Sequence, residues 1–206
     1  MKAPYLVVLI ALATYSFASD DIRSKVVEVD GKIDLDRTID LGKSIFGIPL
    51  GTTEDEFIKT CGKPDGYMSL QDEETLMLYG TGTAFLFQSG RLAGVMLEYA
   101  GFFRESFGFT LGQKVRRQEF VPYREWELSN GIKPFMSLAD IRKILDEQLK
   151  PWRSQGQSGL EGFSFLGPKS RVAMLFVGIG EGEELKEGWE KDENNLKLGT
   201  LIITPF

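Results

Sequence analysis

The sequence predicts an α+β protein made of two tandem repeats, each a short helix packed on an antiparallel sheet of about three or four strands. Two observations lead to this prediction. A motif of turn, helix cap and helix face begins at Gly47 and returns at Gly131, an offset of 84 residues. A group of strand-like apolar runs then follows each copy of the motif. The apolar fraction of 42% is enough for a packed core.

The N-terminus predicts an export signal. Lys2 precedes an apolar run over residues 5–15, and a small-x-small motif ends at Ala18. We expect residues 1–18 to be a signal peptide cleaved near Ala18, which makes the mature protein periplasmic or extracellular. The alternative is an uncleaved membrane anchor, although the apolar run is short for a transmembrane helix. No cysteine lies near the cleavage site, so we expect no lipid anchor.

Residues 19–44 predict an N-terminal arm or hairpin. Asp30-Gly31 separates two short apolar alternations, a pattern typical of a hairpin turn. Three aspartates, at positions 34, 36 and 40, do not have the spacing of an EF-hand calcium loop. We therefore predict no metal site here.

Residues 45–99 form the first predicted repeat. Thr53 and Glu56 have the spacing of a capping box, and acidic residues fill the first turn of the helix that follows. Gly62 is placed to end that helix. Its apolar face consists of Phe57, Ile58 and Cys61, and the predicted strands are residues 75–79, 83–88 and 91–99.

Residues 100–128 are an aromatic-rich connector with basic residues between the rings. Such a mixture can stack nucleic-acid bases. However, the formal net charge is −6, and an exported acidic protein has no general attraction for nucleic acid. The connector therefore predicts either core packing or an exposed surface for a protein or glycan, and we expect no nucleic-acid partner.

Residues 129–206 form the second predicted repeat. Ser137 caps a helix whose apolar face consists of Leu138, Ile141, Leu145 and Leu149. The predicted strands are residues 163–166, 171–177 and 198–204. The acidic insertion 178–197 fits a solvated hairpin extension, and the sharper alternatives are a cation site or a contact surface for a basic partner.

The first repeat carries a family resemblance. Gly47-Ile48-Pro49-Leu50-Gly51-Thr52-Thr53, followed by Gly62-Lys63-Pro64 and a run of strands, resembles the SmpA/OmlA family of small outer-membrane assembly lipoproteins. It also resembles the wider group that includes the tandem-repeat β-lactamase inhibitory proteins. The resemblance implies short helical segments packed on antiparallel sheets. This chain lacks the lipobox of the first group and the disulfides of the second, so no functional residue is transferred.

Composition excludes several chemistries. The chain has no histidine, the commonest general base and zinc ligand, and its single cysteine cannot form an intramolecular disulfide. Gly178 to Gly182 is rich in glycine, but the acidic run that follows disfavours phosphate. We predict no catalytic, cofactor-binding or metal-binding residue. Paired carboxylates for glycoside hydrolysis remain open, because sequence does not give their separation.

The predicted function is a secreted or periplasmic, non-catalytic protein-binding module. The alternatives are a carboxylate-dependent hydrolase acting on an envelope polysaccharide and a structural envelope component. Because aromatic side chains dominate interface energetics, they are the predicted contact residues. Under this hypothesis, alanine at Tyr123 and Trp126 weakens partner binding without unfolding the protein. The full set of predicted contact residues is Tyr79, Tyr99, Phe103, Tyr123, Trp126 and Trp189.

Overall fold

The computed structural model describes residues 32–70, 73–80, 82–98, 119–120, 122, 125–151, 160–178, 193–194 and 196–205. The predicted signal peptide and most of the aromatic connector and acidic insertion lie outside these residues. So does the hairpin turn predicted at Asp30-Gly31. None of the helices in the described ranges is long and apolar enough to cross a membrane.

The described residues form two α-helices and fourteen strands. The helices are α1 (Glu54–Cys61) and α2 (Leu138–Leu145), and a 3-10 turn covers Asp146–Gln148. The strands before α2 are β1 (Lys32–Ile33), β2 (Thr38–Asp40), β3 (Ser44–Ile45), β4 (Ile48–Pro49), β5 (Gly66–Ser69), β6 (Glu74–Tyr79), β7 (Thr83–Gln88), β8 (Arg91–Glu98), β9 (Glu119–Phe120) and β10 (Glu127–Leu128). The strands after α2 are β11 (Lys150–Pro151), β12 (Leu160–Gly167), β13 (Ser170–Gly178) and β14 (Leu196–Pro205).

One eight-stranded antiparallel sheet dominates the fold. Its strand order is β11-β12-β13-β14-β8-β7-β6-β5, so β14 and β8 join the strands of the second half to those of the first. A smaller four-stranded sheet has the order β10-β2-β3-β4, and β1 pairs with β9 in parallel. The small sheet combines segments that precede α1 with the segment that precedes α2.

The predicted fold class is wrong. The described part of the chain is mostly β, with its strands in an eight-stranded and a four-stranded sheet, and not an α+β pair of repeats that each pack a short helix on a sheet of three or four strands. The error has a physical cause. Strands of two to four residues are too short to show an alternating pattern, and contacts distant in sequence determine their pairing. The strands missed for this reason are β2, β3, β4, β5, β10 and β11.

The longer strands were predicted closely. The β7 strand has the predicted bounds, and β8 differs by one residue at its end. The second-half strands β12, β13 and β14 each extend beyond the predicted ranges. As a result, the first residue and the last two residues of the predicted acidic insertion lie in strands.

Both helices begin at the predicted caps. Thr53 Oγ1 accepts a hydrogen bond from Glu56 N, and Glu56 Oε2 accepts one from Thr53 N at 3.1 Å, which completes the capping box. Ser137 Oγ accepts from Asp140 N at 3.1 Å. Each helix has only eight residues and depends on its buried face for stability. The predicted face of α2 and the buried state of Cys61 are confirmed.

The main core lies between the eight-stranded sheet and a layer made of both helices and the small sheet. Phe57 of α1 contributes most visibly, because its ring packs against Phe85 at 4.6 Å and Phe87 at 5.2 Å between centroids. A second, smaller apolar cluster contains residues of the large sheet that alternate with those of the main core. Its members are Met68, Leu76, Leu78, Ala84, Leu86, Met96, Ala173 and Ile202.

The two halves repeat the same hydrogen bonds. Gly51 N donates to Leu92 O, and Phe135 N, 84 positions later, donates to Leu198 O. Leu92 N donates to Thr52 O, and Leu198 N donates to Met136 O, again at an offset of 84 (136 minus 52). The last strand of each half also pairs with a shift of register at the same place. The shift lies between Leu86 and Phe87 where β7 pairs with β8, and between Leu175 and Phe176 where β13 pairs with β14. The halves therefore correspond at the level of the backbone.

This correspondence defines an internal two-fold relation. Matching Leu92 to Leu198 also matches Met96 to Ile202, and these two residues are paired across β8 and β14. The flanking pairs are Val95 with Ile203 and Leu97 with Leu201, which exchange under the same relation. The pairing of β8 with β14 is therefore isologous, like the contact in a symmetric dimer.

Gly94 sets the closeness of these two strands. A Cβ atom at this position would lie 2.1 Å from Ile203 O, which is a backbone atom and cannot rotate away. Any larger residue must separate β8 from β14.

We expect Gly94→Ala to lower the free energy of unfolding by about 2 kcal/mol or more, because the new methyl group overlaps a fixed carbonyl. Urea unfolding measures this loss. The matched control is Gly90→Ala, where φ is +71° but the space is open, so only the left-handed backbone cost of about 1 kcal/mol applies. Equal losses in the two variants would show that the close approach does not matter.

Acid should weaken the α1 cap. The hydrogen bond from Thr53 N holds the pKa of Glu56 below its ordinary value of 4.5. Because the folded pKa is depressed, this contribution is present above about pH 4.5 and is lost as pH falls through the folded pKa. We expect Glu56→Gln to show a shallower loss of stability between about pH 6 and about pH 3 than the wild type. Asp55→Asn in the same turn is the control, and an equally shallow profile there would contradict the assignment.

Candidate binding surface

The structure describes two of the six predicted contact residues, and both are core residues. Tyr79 and Trp126 have 0% exposed surface. Tyr79 Oη donates to Gly62 O at 2.8 Å, and its ring packs edge-on against Phe57 and Phe85. Alanine at Trp126 should therefore disturb folding first. The other four, Tyr99, Phe103, Tyr123 and Trp189, lie outside the described residues.

The most unusual exposed aromatic residue is Phe135, in the turn before α2. Its side chain is 51% exposed, and its backbone φ is +62°. Left-handed backbone conformations are costly for a bulky residue and favour glycine. About half of this residue's surface is nonetheless accessible, and such backbone outliers often mark functional positions.

Comparison within the chain strengthens this observation. The position equivalent to Phe135 in the first half is Gly51, where φ is +87° and the surrounding space is open. Glycine thus occupies the same turn where no ring is needed. Phe46 also has a positive φ, +54°, but its ring is 1% exposed and packs on Phe85 at 6.1 Å. Phe46 is thus almost fully buried in its left-handed conformation, whereas about half of Phe135 is accessible.

The backbone around Phe135 is held firmly. Phe135 N donates to Leu198 O at 3.3 Å, and Leu198 N donates to Met136 O at 3.0 Å. Ser137 then caps α2 and pairs with Lys197 in an isolated β-bridge. The turn is therefore fixed to β14 on one side and to α2 on the other, which fixes the direction in which the ring leaves the backbone.

Charged pairs occur close in sequence on both sides of Phe135. Lys133 Nζ lies 3.1 Å from Glu127 Oε2, and Lys143 Nζ lies 2.8 Å from Asp140 Oδ1. The hydrogen bond from Lys143, followed by that from Ser137, lowers the pKa of Asp140. These pairs are exposed, so they contribute little to stability. They place charges of both signs on either side of Phe135 in the sequence.

The described residues also form a cleft of about 460 Å³. It lies between the β2–β3 turn and the β12–β13 turn, where Gly42 and Leu41 contact Pro168 and Gly167. Leu166, 64% exposed, is in its wall. The polar lining includes Lys43, whose Nζ pairs with Asp40 Oδ2 at 2.9 Å. This lining can donate and accept hydrogen bonds, but it does not resemble a nucleophile with its base.

The perturbed buried groups have structural roles. Burial raises the pKa of Cys61 to about 12, so the thiol stays protonated and unreactive at neutral pH. Burial, together with the neighbouring Cys61, also raises the pKa of Tyr79. Within the described ranges, no group of three or more His, Cys, Asp or Glu side chains is placed to hold a metal ion.

Comparisons with protein-family models, curated proteins and solved structures give no match to this chain. The resemblance to the SmpA/OmlA family and to the β-lactamase inhibitory proteins therefore stays a prediction.

The sequence contained a signal for Phe135 that pattern reading missed. The offset of 84 aligns the two motifs residue by residue, and it places Phe135 opposite a glycine, Gly51. Because the equivalent turn forms with glycine at position 51, formation of the turn does not require the phenylalanine ring at position 135. Exposure could not be deduced in the same way, because it depends on packing around the turn.

We expect Phe135→Gly to change the free energy of unfolding by no more than about 1 kcal/mol, because relief of the left-handed strain offsets the backbone entropy cost of glycine. Phe46→Gly is the matched control, with the same residue type and a similar φ. Because that ring is buried, we expect it to cost about 3 to 4 kcal/mol. Both values come from urea unfolding, and a loss at Phe135 as large as that at Phe46 would make Phe135 a structural residue.

Proposed function

We propose that this protein is an exported, non-catalytic protein-binding module whose contact surface is centred on Phe135. The observation that carries the proposal is an exposed phenylalanine in a left-handed turn, at the position where the first half has Gly51. About half of the residue's surface is accessible in this conformation. A partner that covers the accessible half would add to its burial.

The surroundings of Phe135 suit a protein interface. Interfaces typically have an aromatic anchor at the centre and a polar rim. The ring would be the anchor, and the exposed pairs Lys133–Glu127 and Lys143–Asp140 would lie toward the rim. The hydrogen bonds to Leu198 fix the backbone of the turn, which reduces the entropy lost on binding. Export rests on the predicted signal peptide at residues 1–18.

Photo-cross-linking in the native host tests this function. Phe135 is replaced by the photoreactive residue p-benzoylphenylalanine, and Leu166, which is also exposed, receives the same replacement as a control. We expect a discrete protein adduct from position 135 and not from position 166. An excess of purified wild-type protein should remove the adduct, while the same excess of Phe135→Gly should not.

Several outcomes would contradict the proposal. Equal competition by wild type and Phe135→Gly would show that the ring does not contribute to binding. An absence of any protein adduct at position 135 would remove the contact surface. Turnover of an envelope polysaccharide by the purified protein, abolished by a single Asp or Glu substitution, would replace binding with catalysis.

A further inference from the structure

The two edges of the eight-stranded sheet differ in their protection. One edge strand, β11, consists of Lys150 and Pro151, the two residue types that most often prevent strand addition. The neighbouring turn after β12 is contacted by Leu41 and Gly42. The other edge strand, β5, has the sequence Gly-Tyr-Met-Ser and contains neither a charge nor a proline.

The hydrogen-bond register shows which backbone groups of β5 point outward. Leu70 N donates to Glu74 O, so positions 70 and 74 form a hydrogen-bonded pair with β6. Hydrogen-bonded positions alternate in an antiparallel ladder. Given the register of β5 with β6, Met68 and Gly66 also bond inward, and the N–H and C=O groups of Tyr67 and Ser69 point away from the sheet. Among the described strands, β6 is the one that pairs with β5.

The side chains at the same two positions are accessible. Tyr67 is 49% exposed, and Ser69 is also exposed. Gly66, which precedes them, and Met68, which lies between them, are buried. Tyr67 is paired with Met77, a residue of the main core, and so lies on the helix side of the sheet. A strand added at this edge would meet an aromatic ring as well as backbone groups that pair with none of the described strands.

The charge of the first turn of α1 indicates the kind of strand that fits. This turn carries three acidic residues, Glu54, Asp55 and Glu56. Partial burial raises the pKa of the Tyr67 hydroxyl, and the charge of Glu54 in that turn adds to the effect. A second copy of this acidic chain would repeat the same charges across the edge, whereas a basic segment would complement them.

We propose that the outer edge of β5 binds an extended, basic segment of another polypeptide, which adds as a ninth strand through the outward backbone groups of Tyr67 and Ser69. Backbone hydrogen bonds give such strand addition its affinity, and alternate side chains give specificity. The basic side chains of the added strand face the acidic first turn of α1, and Tyr67 packs against the strand. This site does not depend on Phe135.

Binding of short synthetic peptides to the full chain tests the proposal by fluorescence anisotropy. The probe is a labelled peptide of alternating lysine and valine. The comparison peptides are its glutamate–valine counterpart and a lysine–valine peptide N-methylated at every residue, which lacks its backbone donors. We expect the lysine–valine peptide to bind at least about tenfold more tightly than either, because both charge and backbone donors contribute. Phe135→Gly should leave this binding unchanged.

Ser69→Pro and Ser69→Ala form the matched pair of variants. Proline removes the outward N–H and places a ring at the edge, whereas alanine keeps the N–H. We expect loss of peptide binding in Ser69→Pro and retention in Ser69→Ala, with unchanged circular dichroism in both. If the proline variant fails to fold, hydrogen exchange on the wild type decides, because the amides of Tyr67 and Ser69 should become protected when the peptide is added.

Three results would overturn the proposal. Equal affinity for the lysine and glutamate peptides would remove the charge argument. Full binding by a folded Ser69→Pro, or amides at 67 and 69 that the peptide does not protect, would move the peptide elsewhere. Dimers in analytical ultracentrifugation, with those amides protected in the absence of peptide, would show that a second copy occupies the edge.

Discussion

The close pairing of β8 with β14 is the constraint on which the rest of this structure depends. Four residue pairs join the two halves of the large sheet. Because Gly94 has no side chain, its backbone can lie close to the carbonyl oxygen of Ile203 on the other strand. In the main core, Val95 and Leu97 from one half lie opposite Ile203 and Leu201 from the other. Both helices and the small sheet then pack on a single continuous surface. Without this pairing, each half would expose a central strand edge.

Much of the fold could be predicted from the sequence, and the reason lies in element length. Strands such as β7 and β13 are long and apolar on both faces, so their patterns are unambiguous. The capping residues Thr53 and Ser137 likewise act through neighbours three positions away. The short strands of the small sheet, and β5, depend on partners distant in sequence, and no local pattern reports such partners. That dependence is why the fold class was predicted incorrectly.

The binding surfaces were harder to predict than the fold. Aromatic residue type suggested Tyr79 and Trp126, but the same property that favours an interface also favours a core, and burial decided for the core. Phe135 and Tyr67 are aromatic as well, but about half of each residue's surface is exposed. The useful sequence signal was comparison of the two halves, because the turn needs glycine at position 51 and tolerates phenylalanine at position 135 at a cost.

The symmetric register about Met96 and Ile202 has a consequence for how stability depends on concentration. A contact of this type between separate chains would weaken on dilution, since association is bimolecular. Here both strands belong to one chain, and a covalent connection typically holds its ends at an effective concentration on the order of millimolar. The joint between the halves therefore has the geometry of a dimer interface and the dilution behaviour of a monomer. Because each half is freed from pairing with an identical copy, the two are free to differ at positions such as 51 and 135.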